Sequence, residues 1–162
     1  MSDQPIIFEE RKTGDGALIA VARLNTPKAL NSLSLEMIRL LTPQLKRWAE
    51  DPVIQAVWLE SEGDKAFCAG GDIVAIHRDA SALSGNPEST DRDAEQSPSA
   101  RFWFDEYRLN ALISGYPKPY VAIMDGIVMG GGVGVSAHGD IRIVTDRTKL
   151  AMPEVGIGFV PD

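Results

Sequence analysis

The sequence is poor in cysteine and histidine. Its 162 residues contain one cysteine, Cys68, and two histidines, His77 and His138. A single cysteine excludes an internal disulfide and fits a reducing compartment. Because nothing near Cys68 in the sequence lowers its pKa, we interpret it as a small buried residue and not a nucleophile. We expect His77 at the surface and a structural role for His138.

Basic residues and long apolar runs are also scarce. The chain has 16 Lys and Arg against 23 Asp and Glu, a net charge of −7. This balance argues against a nucleic acid or an anionic membrane as the main partner. No apolar run reaches membrane-spanning length, and the first twelve residues lack a secretory signal pattern, so we expect a cytoplasmic protein. Ordinary apolar and charged fractions of 44% and 24% predict one globular domain over residues 1–162.

Strand and helix patterns alternate along the chain, which predicts an α/β fold with mainly parallel pairing. Ser34 is a predicted N-cap, and five apolar residues follow it at helical spacing. Pro43 within that helix predicts a kink or a restart. The polar stretch 81–99 predicts a surface loop or a partly disordered insertion. The sequence also predicts strands at 6–11, 17–24, 54–59, 120–124, 141–145 and 150–152. Further helices are predicted to begin at residue 73 and to cover 100–115 and 132–138.

Glycine, in contrast, is concentrated in one place. Six of the fifteen glycines lie within residues 125–139, directly after a predicted strand. Because glycine loses much conformational entropy on folding, such a run needs a reason, and close approach of the backbone to a ligand is one. Residues 65–72, KAFCAGGD, form a second glycine turn of the same kind. Two such turns can hold one oxygen atom between two backbone N–H donors, as an oxyanion hole does.

Three segments resemble the crotonase (enoyl-CoA hydratase/isomerase) superfamily: KAFCAGGD at 65–72, MGGGVG at 129–134 and MPEVGIGFVPD at 152–162. Residues 104–110 and 118–139 are most similar to its 3-hydroxyisobutyryl-CoA hydrolase family. The resemblance implies an α/β fold built as a ββα spiral that binds acyl-CoA. It covers nearly all of this chain but only about the N-terminal half of such an enzyme, so we expect the spiral to be incomplete at the C-terminus.

The resemblance also implies a substrate site. It assigns the thioester oxygen to two backbone N–H groups, those of Gly71 and Gly131. Four neighbouring residues then shape the site and contact the substrate: Ala69, Gly70, Asp72 and Gly130. CoA enters as part of the substrate, so the resemblance implies neither a metal nor a redox cofactor. A homo-oligomer is a possible assembly.

Acidic residues distinguish reactions within the superfamily. The hydratases that the chain resembles use two glutamates, whose positions correspond here to Gly134 and Glu154, so hydration is disfavoured. Asp162 matches an aspartate of the hydrolase family. The resemblance therefore implies hydrolysis of a short 3-hydroxyacyl-CoA, as in valine catabolism, with Glu154 as nucleophile or general base. Asp162 then assists water or holds the 3-hydroxyl, which Glu106 also reaches.

Other interpretations of these acidic residues stay open. Glu154 follows a proline and fits a solvated turn, and Asp162 fits an exposed terminal acid. Glu106, near Asp105 and Arg108 on a predicted helix, fits a surface salt bridge. Lys28 fits either a contact with CoA phosphates or a solvated loop.

At the level of the whole chain, three alternatives remain to thioester hydrolysis. A dienoyl-CoA isomerase also pairs a glutamate with an aspartate eight residues later. An enoyl-CoA isomerase or hydratase belongs to the same superfamily. A non-catalytic CoA-binding module would keep the site without the reaction.

Overall fold

The structure is a computed structural model that describes residues 4–86 and 89–161. Within these ranges, eight strands form two sheets and five α-helices surround them. The strands are β1 (Ile6–Lys12), β2 (Leu18–Leu24), β3 (Ile54–Ser61), β4 (Ala66–Cys68), β5 (Tyr120–Met124), β6 (Ile127–Met129), β7 (Ile141–Val144) and β8 (Lys149–Ala151). The helices are α1 (Leu35–Glu50), α2 (Ile73–Ser84), α3 (Asp91–Glu95), α4 (Pro98–Ser114) and α5 (Gly131–Ala137), and 3₁₀ turns cover Pro27–Ala29 and Glu154–Ile157.

The large sheet has the strand order β1-β2-β3-β5-β7, and the small sheet has the order β4-β6-β8. β1 and β2 pair antiparallel through a turn at residues 13–16. The other strand pairs in both sheets are parallel. This arrangement confirms the predicted α/β class and its mainly parallel pairing.

Three successive units follow one pattern along the chain. β3, β5 and β7 lie in the large sheet, and each is followed by a short strand of the small sheet and then by helix. The result is the ββα spiral that the sequence predicts. The short strand β6 was not predicted, because its three residues lie inside the glycine-rich stretch.

Helix α1 begins as the sequence predicts. The Ser34 hydroxyl accepts a hydrogen bond from the Met37 N–H at 3.2 Å, and the five predicted apolar residues are buried. The predicted restart at Pro43 is wrong, because α1 continues through it. A proline removes only one intrahelical hydrogen bond, and here Leu41 and Leu45 anchor the helix in the core on both sides of it.

The stretch 81–99 is more helical than the sequence predicts. α2 continues to Ser84, α3 lies within the stretch, and α4 begins at its end, so a loop interpretation is wrong for these parts. Two side chains cap the start of α4: the Ser97 hydroxyl accepts from the Ala100 N–H at 3.1 Å, and the Asp79 carboxylate, from α2, accepts from the Ser99 N–H at 2.9 Å. The prediction for residues 87 and 88 lies outside the described residues.

Asn31 organises the loop that precedes α1. It is fully buried in a left-handed backbone conformation with φ of 53°. Its side-chain oxygen accepts from the Thr26 N–H, and its amide nitrogen donates to the carbonyls of Glu62 and Ala66, each at 2.9 Å. One side chain therefore joins this loop to the segment before β4 and to the first residue of β4.

The same loop holds the first glycine turn. The Ala69 N–H donates to the Leu30 carbonyl at 3.1 Å, and the Leu33 N–H donates to the Gly70 carbonyl at 2.7 Å. The Asp72 N–H donates to the Leu33 carbonyl at 3.0 Å. These three bonds fix the backbone of the turn at 69–72.

None of the helices within residues 4–86 and 89–161 has the length and apolar character needed to cross a membrane.

Asn31→Ala should lower the free energy of unfolding by about 3 kcal/mol, because three buried hydrogen bonds are lost and alanine is unfavourable at this φ. Asn31→Gly should lose about 1 kcal/mol less, since glycine tolerates the backbone conformation. Ser32→Ala is the control in the same loop; it removes an exposed hydrogen bond to Ala29 and should cost under about 1 kcal/mol. Urea unfolding measures all three, and equal losses for Asn31→Ala and Ser32→Ala would contradict the role of Asn31.

Candidate active site

The two glycine turns touch each other backbone to backbone. Gly70 has φ of +106°, and a Cβ placed there would stand 3.3 Å from the Met129 carbonyl oxygen. A Cβ on Gly132 would overlap the Cys68 carbonyl. Because the contact leaves no room for side chains at these positions, it explains why both turns are rich in glycine.

Two backbone N–H groups lie close together at this contact. The Gly71 nitrogen is 3.5 Å from the position of a Cβ on Gly131, and both residues line one cavity. Gly131 begins α5, so its N–H has no partner within the helix. Leu33 bonds to the residues on either side of Gly71 and leaves its N–H unused. Neither N–H has an acceptor among the described residues, so both can donate to one oxygen atom in the cavity.

Glu154 faces the same place from the third unit of the spiral. It begins the 3₁₀ turn after β8, and a Cβ on Gly130 would stand 2.6 Å from its Oε1 atom. Its Oε2 atom is buried and has no hydrogen-bond partner among the described residues. The solvated-turn interpretation of Glu154 is therefore wrong. An unpaired buried carboxylate oxygen is costly for the fold and is typical of a functional site.

Glu106 approaches the turn from α4. The residue is only 7% exposed, and a Cβ on Gly131 would overlap its Oε1 atom. Its charged neighbours point elsewhere: Asp105 pairs with Arg39 at 3.5 Å, and the Arg108 guanidinium lies 5.3 Å from the Phe104 ring centroid. The surface interpretation of Glu106 is therefore wrong, and two carboxylates flank the triple glycine.

The cavity between these groups is small, at about 90 Å³. Its glycine side is completed by apolar residues, among them Ile73 and Trp103. The rings of Trp103 and Phe159 meet edge to face, with centroids 6.0 Å apart. The site thus combines two N–H donors and a carboxylate with apolar walls, which is a suitable environment for a polarised carbonyl group.

A larger groove of about 400 Å³ adjoins the cavity and shares Ala69, Gly71 and Ile73 with it. Thr26 lies along this groove, and its buried hydroxyl oxygen has no hydrogen-bond partner among the described residues. The shared wall makes the groove a continuation of the cavity. An elongated ligand can therefore extend from one into the other.

The structure brings most predicted site residues together. The cavity is lined by Ala69, Gly70, Gly71, Gly130, Gly131 and Glu154. Asp72 instead caps α2, where its carboxylate accepts from the Ala75 N–H at 3.1 Å, and it lines the adjoining groove. Asp162 lies outside the described residues. Among the residues that are described, no group of three His, Cys, Asp or Glu side chains could hold a metal ion.

Sequence reasoning missed two asparagines near the site. Asn31 braces the first glycine turn, and the Asn110 amide packs on Gly134, where a Cβ would stand 2.6 Å from its nitrogen. The signal for Asn110 was available, because it follows Glu106 by one helical turn and shares its face of α4. For Asn31 the signal was weak, since asparagine is common in loops for reasons unrelated to a site.

Cys68 is buried beneath the glycine turns, as predicted. Burial raises the pKa of its thiol to about 12. The thiol therefore stays protonated at neutral pH and lacks the character of a nucleophile.

The chain is similar to a known protein family and to several known proteins. A model of the enoyl-CoA hydratase/isomerase family matches residues 19–162. The chain is 48% identical over 157 residues to the mitochondrial 3-hydroxyisobutyryl-CoA hydrolase of Danio rerio and 49% identical over 142 residues to that of Rattus norvegicus. These matches cover 97% and 88% of this chain but 37% and 34% of the relatives. The relatives are named mitochondrial, so a cytoplasmic location stays a prediction for this chain.

Solved structures give the same picture of the fold. A carnitinyl-CoA dehydratase from Mycobacterium thermoresistibile superposes with a TM-score of 0.84 at 49% identity, and the match covers 99% of this chain and 42% of that one. An enoyl-CoA hydratase from Rhodobacter sphaeroides gives a TM-score of 0.79 at 38% identity, covering 98% and 42%. The spiral described above is therefore shared with acyl-CoA enzymes of several names.

The raised pKa of Cys68 predicts an unreactive thiol. At pH 8 its thiolate fraction should be about one part in ten thousand, so a disulfide thiol reagent should modify the folded chain at least about 100-fold more slowly than the urea-unfolded chain. The release of the coloured thiol product measures both rates. Similar rates in the two states would show that Cys68 is accessible and ionised.

Proposed function

Because this chain belongs to the enoyl-CoA hydratase/isomerase family, we propose that it binds an acyl-CoA and hydrolyses the thioester of a short 3-hydroxyacyl group, such as 3-hydroxyisobutyryl. One observation carries the proposal. The unpartnered carboxylate oxygen of Glu154 lies in the same site as the N–H groups of Gly71 and Gly131, which have no acceptor among the described residues. The names of the hydrolase relatives support the choice of substrate.

Binding begins with the thioester carbonyl. Its oxygen accepts hydrogen bonds from the N–H groups of Gly71 and Gly131, while the CoA arm lies in the adjoining groove past Ile73. Negative charge develops on this oxygen when the carbonyl carbon is attacked. Preorganised donors stabilise that charge, and in comparable sites the loss of one donor costs about 10²–10³ in rate.

Glu154 then acts in one of two ways. As a nucleophile, its carboxylate attacks the carbonyl carbon, the C–S bond breaks, and CoA leaves as a thiolate that takes a proton, which gives an acyl-glutamyl anhydride. Water then attacks the anhydride and releases the free acid. As a general base, Glu154 instead removes a proton from the water that attacks the thioester directly.

Other acidic residues complete the proposed site. Glu106, held against Gly131, contacts the 3-hydroxyl of the substrate. Asp162 assists water or holds the same hydroxyl, a role that rests on the family resemblance. Asp72 and Gly130 shape the substrate site. Hydrolysis consumes only water and changes no oxidation state, so the proposal needs no redox cofactor. That it includes no metal rests on the family resemblance, and a homo-oligomer stays a prediction.

Hydration of an enoyl-CoA, or the reverse dehydration of a 3-hydroxyacyl-CoA, is the second candidate. It is favoured by the likeness to the carnitinyl-CoA dehydratase. Against it, no acidic side chain is present at Gly134, where the Asn110 amide occupies the space. Incubation with an enoyl-CoA or dienoyl-CoA separates the candidates: a change in conjugated absorbance without a new thiol indicates hydration or isomerisation. Binding without either reaction indicates a non-catalytic module.

Glu154→Gln should lower the rate of thiol release from 3-hydroxyisobutyryl-CoA at least about 100-fold, because the amide is neither a base nor a comparable nucleophile. Free CoA is measured with a chromogenic thiol reagent. Glu50→Gln, at an exposed position at the end of α1, is the control and should keep the parent rate. Thiol release that survives Glu154→Gln would remove Glu154 from the mechanism.

A single turnover in ¹⁸O-labelled water distinguishes the two routes. On the nucleophile route, water attacks the glutamyl carbon of the anhydride, the bond from that carbon to the bridging oxygen breaks, and one labelled oxygen stays in the Glu154 carboxylate. Label in that side chain therefore indicates a nucleophile. Label confined to the released acid contradicts this route and is the result expected for a general base.

A further inference from the structure

Trp103 and Glu106 reach the site from the same face of α4. They are three positions apart, so their side chains are neighbours along the helix. Glu106 lies against Gly131, while Trp103 lines the cavity that also contains Gly71 and Glu154. The indole therefore bounds the space directly beside the proposed carbonyl position.

Phe159, near the C-terminal end of the described residues, completes this wall. Its ring meets the indole of Trp103 edge to face, with centroids 6.0 Å apart, and both rings line the cavity. Trp103 is only partly buried and packs on the edge of the core. Its ring contributes to the shape of the cavity more than to the centre of the core.

The volume of the cavity limits what fits behind this wall. At about 90 Å³ it is smaller than the apolar cavity of about 150 Å³ that accepts a benzene ring. The proposed 3-hydroxyisobutyryl group has as many non-hydrogen atoms as benzene, so it already fills a cavity of this size. A longer alkyl chain would have to displace one of the two aromatic side chains.

We propose that Trp103 is a specificity-determining residue, whose indole, held by Phe159, sets the maximum length of the acyl group. This inference rests on the proposed function, since it takes the cavity as the acyl site. Removing the indole extends the cavity along α4 while leaving the two N–H donors and Glu154 in place. The variant then accepts acyl groups that the parent chain excludes.

The test uses S-alkyl-CoA thioethers, which have no carbonyl to hydrolyse, and measures affinity by calorimetry for the ethyl, butyl, hexyl and octyl compounds. In the parent chain the affinity should rise to butyl and fall beyond it. In Trp103→Ala it should continue to rise, by up to about fourfold for each added methylene. Trp103→Phe keeps an aromatic wall and should keep a preference for short chains.

Tyr107→Ala is the matched control, because Tyr107 is an exposed aromatic residue one turn further along α4 and does not line the cavity. It should keep the parent profile. Three outcomes would overturn the inference alone: a parent chain that binds octyl as well as butyl, an unchanged profile in Trp103→Ala, or equal weakening at every length. If the parent chain binds none of the thioethers, the same length series is measured with ketone analogues, in which a methylene replaces the sulfur and the carbonyl remains; failure to bind both series would instead contradict the proposed function on which the inference rests.

Discussion

The direct contact between two glycine turns is the constraint on which the rest of the site depends. Parallel pairing of β4 with β6 brings both turns to the same end of the small sheet. Gly70 then adopts a φ of +106° beside the Met129 carbonyl, and a Cβ on Gly132 would overlap the Cys68 carbonyl, so both positions disfavour side chains. With no side chains between them, the N–H groups of Gly71 and Gly131 face one cavity, and every polar group of the site is placed relative to that pair.

Residues from distant parts of the chain hold or contact the two glycine turns. The loop around Asn31 fixes the first turn through backbone hydrogen bonds, so the turn is rigid before any ligand arrives. Glu154 and Glu106 come from separate elements and pack against the second turn. Rigid donors need no reorganisation when charge develops on a bound oxygen, which is why preorganisation favours catalysis of acyl transfer.

Much of this could be predicted from the sequence. Local patterns predicted the α/β class, the capped helix α1 and the strand at Tyr120–Met124, and the glycine turns with Glu154 were identified through the family motifs. Two features that depend on tertiary packing were not predicted. Strand β6 is too short to show a strand pattern, and α1 continues through Pro43 because core residues anchor the helix before and after the proline. The burial of Glu106 could not be decided from sequence, since a helix with neighbouring charges fits a surface equally well.

In the proposed function, the two glycine turns bind the carbonyl oxygen of an acyl-CoA through their N–H groups. Backbone amide NMR tests it most directly with two ligands: an acyl-CoA analogue in which a methylene replaces sulfur and the carbonyl remains, and the matching thioether without a carbonyl. If both N–H groups donate to the carbonyl oxygen, only the carbonyl compound should shift the Gly71 and Gly131 amide protons strongly downfield, as new hydrogen bonds do. The same shifts with both ligands, or none at these two residues, would contradict it.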